Sequence, residues 1–262
     1  MADHGLTFLA AVAMWWLSTG LILALVALPR KTHALGMAGA TLVLLAGGYG
    51  LTQSAWDMSA SGAYVAFLSA LAVWGWIETS FLMGFVTGPR TAPCPADARG
   101  WRRFGLAMQA LLYHELAIIA GAAVLIALTW NAPNQTGTLA FLILMVMRIS
   151  AKLNIFLGVP NLTDEFMPAH LAYLKSYFRK KSFNALFPVS IIASGIMAGA
   201  LVLRAMAAEP GGADAVGAVL LFTLVALAVL EHFFMIMPVR DAALWRWAMP
   251  VTGPKPTDQS PS

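Results

Sequence analysis

Charge is what this sequence most conspicuously lacks. Asp, Glu, Lys and Arg make up 11% of its 262 residues, against roughly 25% in an average soluble domain. Hydrophobic residues fill 60% of the chain, which excludes an ordinary soluble fold and points to a polytopic membrane protein. Cysteine is nearly absent. The single Cys94 excludes an intrachain disulfide and, without a partner, reads as a small apolar residue. No basic segment precedes the first apolar run, so that run is expected to stay as a spanning helix rather than be cleaved. The chain also lacks a P-loop, a glycine-rich dinucleotide turn, an HExxH pair and a CxxC pair. "NQT" and "NLT" match the glycosylation pattern by chance. Nucleic acid is not an expected partner; the lipid bilayer is.

A spanning helix needs roughly 20 mainly apolar residues. Seven segments qualify, at about 7–28, 34–54, 63–87, 104–129, 137–157, 186–207 and 215–238. Proline and glycine punctuate most of the breaks between them, as in "GPRTAPCPADARG" and "AAEPGGADA". The expected fold is all-α, a bundle of seven transmembrane helices forming one domain over 1–240. Residues 241–262, ending in the Pro-rich "TGPKPTDQSPS", are expected to be a largely disordered cytoplasmic tail.

Lys and Arg give the orientation. Arg30 and Lys31 lie in the first loop and Arg90, Arg99, Arg102 and Arg103 in the third. Lys175, Arg179, Lys180 and Lys181 lie in the fifth, and Arg240, Arg246 and Lys255 follow the last span. The opposite loops hold Asp57, Glu209 and Asp214, with Arg204 the only nearby base. Basic loops stay in the cytoplasm, so the N-terminus is expected outside and the C-terminus inside. Within the fifth loop, "TDEFMPAHLAYLKSYFRKK" opens with helix-capping residues. Phe166, Leu171, Leu174 and Phe178 can form one apolar face, which predicts an amphipathic helix on the cytoplasmic membrane surface. A plain extension of the neighbouring spans is the alternative.

The ionisable residues inside the spans carry most of the functional content. "LLYHELAIIA" sets His114 beside Glu115 in a long apolar run. Glu78, Arg148, Lys152, Glu231 and His232 occupy other spans. Counted from the expected span ends, all seven fall roughly 8–17 Å inside one membrane boundary, at a rise of ~1.5 Å per residue. A buried charge costs about 2.5–3.5 kcal/mol on insertion scales, so such residues face the bundle interior and pair. Three carboxylates against two fixed cations leave a deficit that a protonated histidine or a bound cation would balance.

Three explanations of this layer stand side by side. It can be an ion-pair network that fixes helix register, since Arg148 and Lys152 are four apart and share a face. It can be a carboxylate-bridged metal centre drawing on Glu78, His114, Glu115, Glu231 and His232. Against the metal centre, no Glu-x-x-His pair occurs, and adjacent residues such as His114 and Glu115 diverge by about 100° on a helix. Or His114 or His232 can be the axial ligand of a magnesium tetrapyrrole. "GFVTG" (Gly84, Gly88) and "GIMAG" (Gly195, Gly199) carry small-xxx-small spacing, read as internal helix packing. Most tryptophans, Trp15, Trp16, Trp245 and Trp247 among them, are read as an aromatic belt, while Trp74 and Trp76 are deeper cavity candidates.

At "FLMGFVTGPRTAPCP", "LLYHELA", "MRISAKLNIFLGVPN" and "EFMPAHLAYLKSYFRKKSFNALFPVS", the sequence resembles the PuhE family, photosynthetic complex assembly protein 2 of purple bacteria. The resemblance spans most of residues 5–240. It implies a protein of the cytoplasmic, intracytoplasmic photosynthetic membrane, encoded beside the gene for the reaction-centre H subunit. It implies a part in assembly of the reaction centre and core antenna and in bacteriochlorophyll supply. It implies no settled catalytic activity. The matching blocks carry His114, Glu115, Arg148, Lys152, Asn154, Asn161, Glu165 and His170 together, and Asn161, Glu165 and His170 are expected to close the polar layer from the cytoplasmic side.

The leading expectation is a non-catalytic assembly or regulatory factor. It would engage reaction-centre or core-antenna subunits or bacteriochlorophyll-synthesis enzymes. Arg148, Lys152 and Asn154, with His114 and His232, are its cofactor-binding candidates, the cofactor being bacteriochlorophyll or a divalent metal such as iron. Glu165, His170, Lys175, Arg179, Lys180 and Lys181 would dock on the membrane surface or a partner. The alternative is a metal-dependent intramembrane oxidoreductase acting on a tetrapyrrole or other hydrophobic substrate. A carrier is disfavoured by the lack of an obvious internal repeat.

Overall fold

The computed structural model describes residues 2–162, 167–237 and 241–248. Seven α-helices account for most of them: α1 (Ala2–Ala27), α2 (His33–Ser54), α3 (Ala60–Leu82), α4 (Gly100–Leu128), α5 (Thr136–Leu157), α6 (Leu186–Ala207) and α7 (Ala213–Phe234). Each is long and apolar enough to cross a membrane. No strand forms among the described residues; two isolated bridges, Ser59 with Gly212 and Val159 with Lys180, tie loops together.

α3 and α7 are the enclosed helices, with α1, α2, α5 and α6 packed around them and α4 against α3 and α5. Small residues make the close approach possible: Ala63, Ala66 and Ala70 on α3, Ala140 on α5, and Ala215 and Ala218 on α7 are all buried. Phe67, Phe141, Leu220 and Leu224 fill the space between them. Trp74 packs edge-on against Phe141 at 5.4 Å, and the Trp76 indole donates to Thr41 Oγ1 at 3.0 Å. Both therefore act as packing residues.

Two asparagines close the ends of the bundle. At one end the Asn134 amide donates to the carbonyls of Ser54 and Asp57 at 2.9 and 3.1 Å, and its N–H bonds to Ala55. At the basic end the Asn161 amide donates to Phe234 and Met237 at 2.9 and 3.0 Å, and its N–H bonds to Met235. The last carbonyls of a helix have no intrahelical partner, and each asparagine supplies one from a distant loop. These are the two residues whose sequence context matches a sugar-attachment pattern; their packing explains them without it.

Several boundaries differ from expectation. α3 stops at Leu82, short of 87, because Gly84 takes φ +85°. The Gly84 N–H bonds to Phe81 O and the Phe85 N–H to Ser80 O, both at 2.9 Å, a Schellman closure. "GFVTG" is thus a helix stop and loop, not a helix-packing stripe. On α6, a Cβ at Gly195 or Gly199 would meet nothing within 4 Å, so "GIMAG" is not internal packing either. α7 likewise ends at Phe234.

The fifth loop departs from the expected amphipathic α-helix. Ala169–Tyr177 is a 3-10 segment whose Leu171, Leu174 and Tyr177 pack on Phe81 and Ala110 of the bundle. Phe166 lies outside the described residues. Asp241–Ala248, expected in the tail, is a 3-10 segment against α1. Trp245 lies on Trp15 and Trp16 at 5.4 and 6.3 Å, and Trp16 donates to Leu244 O at 3.1 Å. Trp15 is twelve residues from the α1 end at Ala27, ~18 Å at 1.5 Å per residue. With Trp247, 5.2 Å from Trp16, these form a cluster of four, whereas Trp56, Trp101 and Trp130 stand exposed near helix ends as a belt would.

Replacing Asn161 or Asn134 by Ala strips two carbonyls of their partner. Each change is expected to cost about 1–3 kcal/mol, read as a lowered unfolding midpoint of the detergent-purified protein. Unchanged midpoints would show that the caps are dispensable.

Candidate functional site: a polar layer between helices

The ionisable residues do meet, but as three separate groups. In the first, Arg148 on α5 donates to Glu78 Oε2 on α3 at 3.1 Å. The other carboxylate oxygen, Oε1, faces His114 Nε2 on α4 at 3.9 Å, too far for a direct hydrogen bond. His114 is fully buried, its ring lies against Phe81 with centroids 4.3 Å apart, and neither ring nitrogen has a hydrogen-bond partner. A buried polar group left open costs about 1–3 kcal/mol, which marks His114 as the least satisfied residue of the bundle interior.

The second group is Lys152 on α5, whose Nζ donates to Glu115 Oε1 on α4 at 2.6 Å. Arg148 and Lys152 share one face of α5 and take different carboxylates, as their four-residue spacing allows. His114 and Glu115 diverge as neighbours on a helix must: the first points inward to α3, the second sideways to α5.

The third group joins α5, α6 and α7. His232 Nδ1 lies 2.8 Å from the Ala228 carbonyl, to which only a protonated nitrogen can donate. Nε2 lies 2.9 Å from the Ser150 hydroxyl. Ser150 Oγ also lies 2.9 Å from Ser190 Oγ, and the Asn154 amide donates to Ser190 Oγ and Ser150 O at 3.1 and 3.0 Å. His232 therefore has both nitrogens committed, unlike His114. Ser150 and Ser190 were not singled out from the sequence, although "RISAKLN" sets Ser150 four residues before Asn154 on the same face.

The five residues of the expected metal pool are not gathered. Glu78 and His114 are together, Glu115 belongs to Lys152, and His232 to Ser150. Glu231 sits on the exposed face of α7, one residue from buried His232. Among the described residues no group of three His, Cys, Asp or Glu is placed to hold a metal ion.

What closes the layer on the basic side is the loop after α3. Glu78 is four residues from the helix end at Leu82, where nine were expected. The chain then runs back along α4, where the His114 N–H donates to Thr87 O at 2.9 Å and the Arg90 N–H to Gln109 O at 3.4 Å. A Cβ on Gly88 would lie 2.2 Å from Gln109 O, so only glycine fits there. Non-helical backbone at membrane depth is tolerated where protein buries it, and this loop meets that condition against α4. Asn161 and His170 do not perform the closure: Asn161 caps α7, and His170 faces Gly84. Glu165 lies outside the described residues.

Below the loop, Arg103 ties α4 to α5 and to the 169–177 segment. It donates to Phe156 O at 3.1 Å and to Tyr177 O, with its guanidinium 4.0 Å over the Phe156 ring. Arg90 donates to Tyr177 Oη at 2.7 Å. Of the expected docking residues, Lys175 and Lys180 are exposed, the exposed Lys181 lays its chain over Gly158, and the Arg179 carbonyl accepts from the Val159 N–H at 3.2 Å.

Fold and site define a multi-pass helical membrane protein with a self-paired intramembrane charge layer. The chain belongs to the family described as "Protein of unknown function (DUF3623)", whose model matches residues 1–255. It is 41% identical over 254 residues to the "Uncharacterized 30.4 kDa protein in puhA 5'region" of Rhodobacter capsulatus, a match covering 95% of this chain and 92% of that protein. No solved structure matches the chain.

Ser150→Ala removes the hydroxyl that serves His232, Ser190 and, through them, three helices. It is expected to destabilise the protein by about 1–3 kcal/mol, measured by unfolding in detergent. A neutral effect would mean that His232 finds another donor.

Proposed function

We propose that the protein is a membrane-embedded assembly or regulatory factor for a photosynthetic reaction centre and its core antenna, acting on bacteriochlorophyll supply or delivery. It would sit in the bacterial cytoplasmic or intracytoplasmic photosynthetic membrane. Its basic loops and C-terminus would lie in the cytoplasm and its N-terminus outside, by the distribution of Lys and Arg. The resemblance to the PuhE family supports this process. So does the description of the Rhodobacter capsulatus relative as a protein of a puhA 5′ region.

The observation that carries the non-catalytic form of this reading is the pairing within the layer. Glu78 and Glu115 each hold a cation of the same chain, at 3.1 and 2.6 Å. Carboxylates so occupied fix helices against one another; recruiting either as a metal ligand would leave Lys152 or the part-exposed Arg148 without its counter-charge, an expensive exchange. The docking residues Lys175, Lys180 and Lys181, exposed on the basic side, would meet anionic lipid or a soluble partner at ~1 kcal/mol per residue near the surface.

A second reading is favoured by one specific feature. His114 keeps both ring nitrogens open beside Glu78, and neutral imidazole is a ready metal or tetrapyrrole ligand. On this reading His114, rather than His232, is the pigment or metal contact, and an enzyme remains the alternative to a factor.

The two separate experimentally. Tagged protein isolated from its native membrane in mild detergent is expected to bring down core-complex subunits, and their consistent absence would contradict the assembly role. His114→Leu is expected to fold with equal or higher stability, since it removes an unsatisfied buried group. Metal or bacteriochlorin present in stoichiometric amount in the wild type and lost in His114→Leu would move the protein to the second reading.

A further inference from the structure

A cavity of about 210 Å³ lies outside the polar layer, where α1 ends and α2 begins. Its walls are Val26, Leu28, Pro168 and Ala169, and its polar lining is Arg30, His33 and His170. Among the described residues no carboxylate lines it. Three nitrogen-bearing side chains from two distant parts of the sequence thus converge on one space.

Each of the three has a defined state. The His33 ring donates through Nε2 to Leu28 O at 3.0 Å, which anchors it at the first turn of α2. His170 makes a backbone hydrogen bond to Leu82, while its Nε2 is buried and has no partner. Burial pushes the His170 imidazole below its ordinary range, and the nearby Arg30 and His33 push it the same way. An anion bound in the cavity would counter both effects. Arg30 is exposed and lines the cavity.

Position identifies the anion. The cavity stands between the last residue of one spanning helix, Ala27, and the start of the next at Arg30. That is the level of the lipid phosphates, just outside the hydrocarbon boundary. Val26 and Leu28 line the hydrocarbon side, where an acyl chain would continue, and Arg is the residue best matched to a phosphate's paired oxygens. We propose that Arg30, His33 and His170 form a binding site for a phosphate group, carried by the headgroup of an anionic membrane phospholipid. The site lies on a different set of residues from the Glu78–Arg148 layer and does not depend on the assembly role.

The test uses the full chain reconstituted in nanodiscs of equal phosphatidylglycerol and phosphatidylcholine, then extracted and analysed by native mass spectrometry. The wild type is expected to retain phosphatidylglycerol in preference. Arg30→Gln and His170→Gln are each expected to lower that preference roughly tenfold, as loss of one charge-assisted hydrogen bond would. Arg99→Gln, an exposed cation elsewhere on the basic side, controls for general charge. Matching unfolding midpoints for the variants confirm that folding is intact. A parallel titration with inorganic phosphate distinguishes the source. Phosphate binding that depends on Arg30, without lipid selectivity, assigns the site to a soluble phosphate. Lipid retention unchanged by Arg30→Gln and His170→Gln, with no phosphate binding, overturns the proposal.

Discussion

The constraint on which the rest of this structure depends is the need to neutralise ionic groups inside an apolar bundle. Arg148 and Lys152 project from one face of α5, and in hydrocarbon neither can stand alone. Glu78 on α3 answers the first and Glu115 on α4 the second. These two contacts set the register of three helices at once. They also require α4 to lie close to α5, although the apolar packing between α4 and its neighbours is thinner than that around α3 and α7. The polar groups thus supply orientation that side-chain packing in lipid supplies only weakly.

Other features follow from that arrangement. With Glu115 turned toward α5, the adjacent His114 points inward and ends against Phe81 with its nitrogens open. The loop after α3 must then lie along α4, and it does so through Gly88 backbone contact and the Thr87–His114 hydrogen bond. Arg103 and Tyr177 extend the same join toward the basic end. Glu78 Oε1, Arg148 Nε and Asn154 Oδ1 also lack partners, but His114 is the buried residue with both side-chain nitrogens open, and there a function involving a ligand would be found.

Much of this was legible in the sequence, and the exceptions have physical causes. Seven spans follow from composition, because length and hydropathy alone determine them. The divergence of His114 from Glu115 follows from helix geometry. The end of α3 was set five residues late because Phe85 and Val86 continue the apolar run, while the stop signal is the single Gly84 and its positive φ. The pairing of Glu78 with Arg148, 70 residues away, has no local trace in spacing. The capping roles of Asn134 and of Asn161, which the sequence places at the polar layer instead, are hidden because they depend on segments far along the chain. The expected five-residue metal pool failed for a simpler reason: shared depth does not place side chains on facing sides of their helices.

The central claim is that the intramembrane layer is an ion-pair lock. A double-substitution cycle on Glu78 and Arg148, with unfolding free energies measured in detergent micelles, tests it most directly. Glu78→Gln and Arg148→Met alone are each expected to destabilise the protein, the second by about 3–5 kcal/mol because it leaves the buried Glu78 carboxylate uncompensated. Together they are expected to cost far less than the sum of the two. Strictly additive losses, or single substitutions without effect, would contradict the lock and leave the 3.1 Å contact without structural consequence.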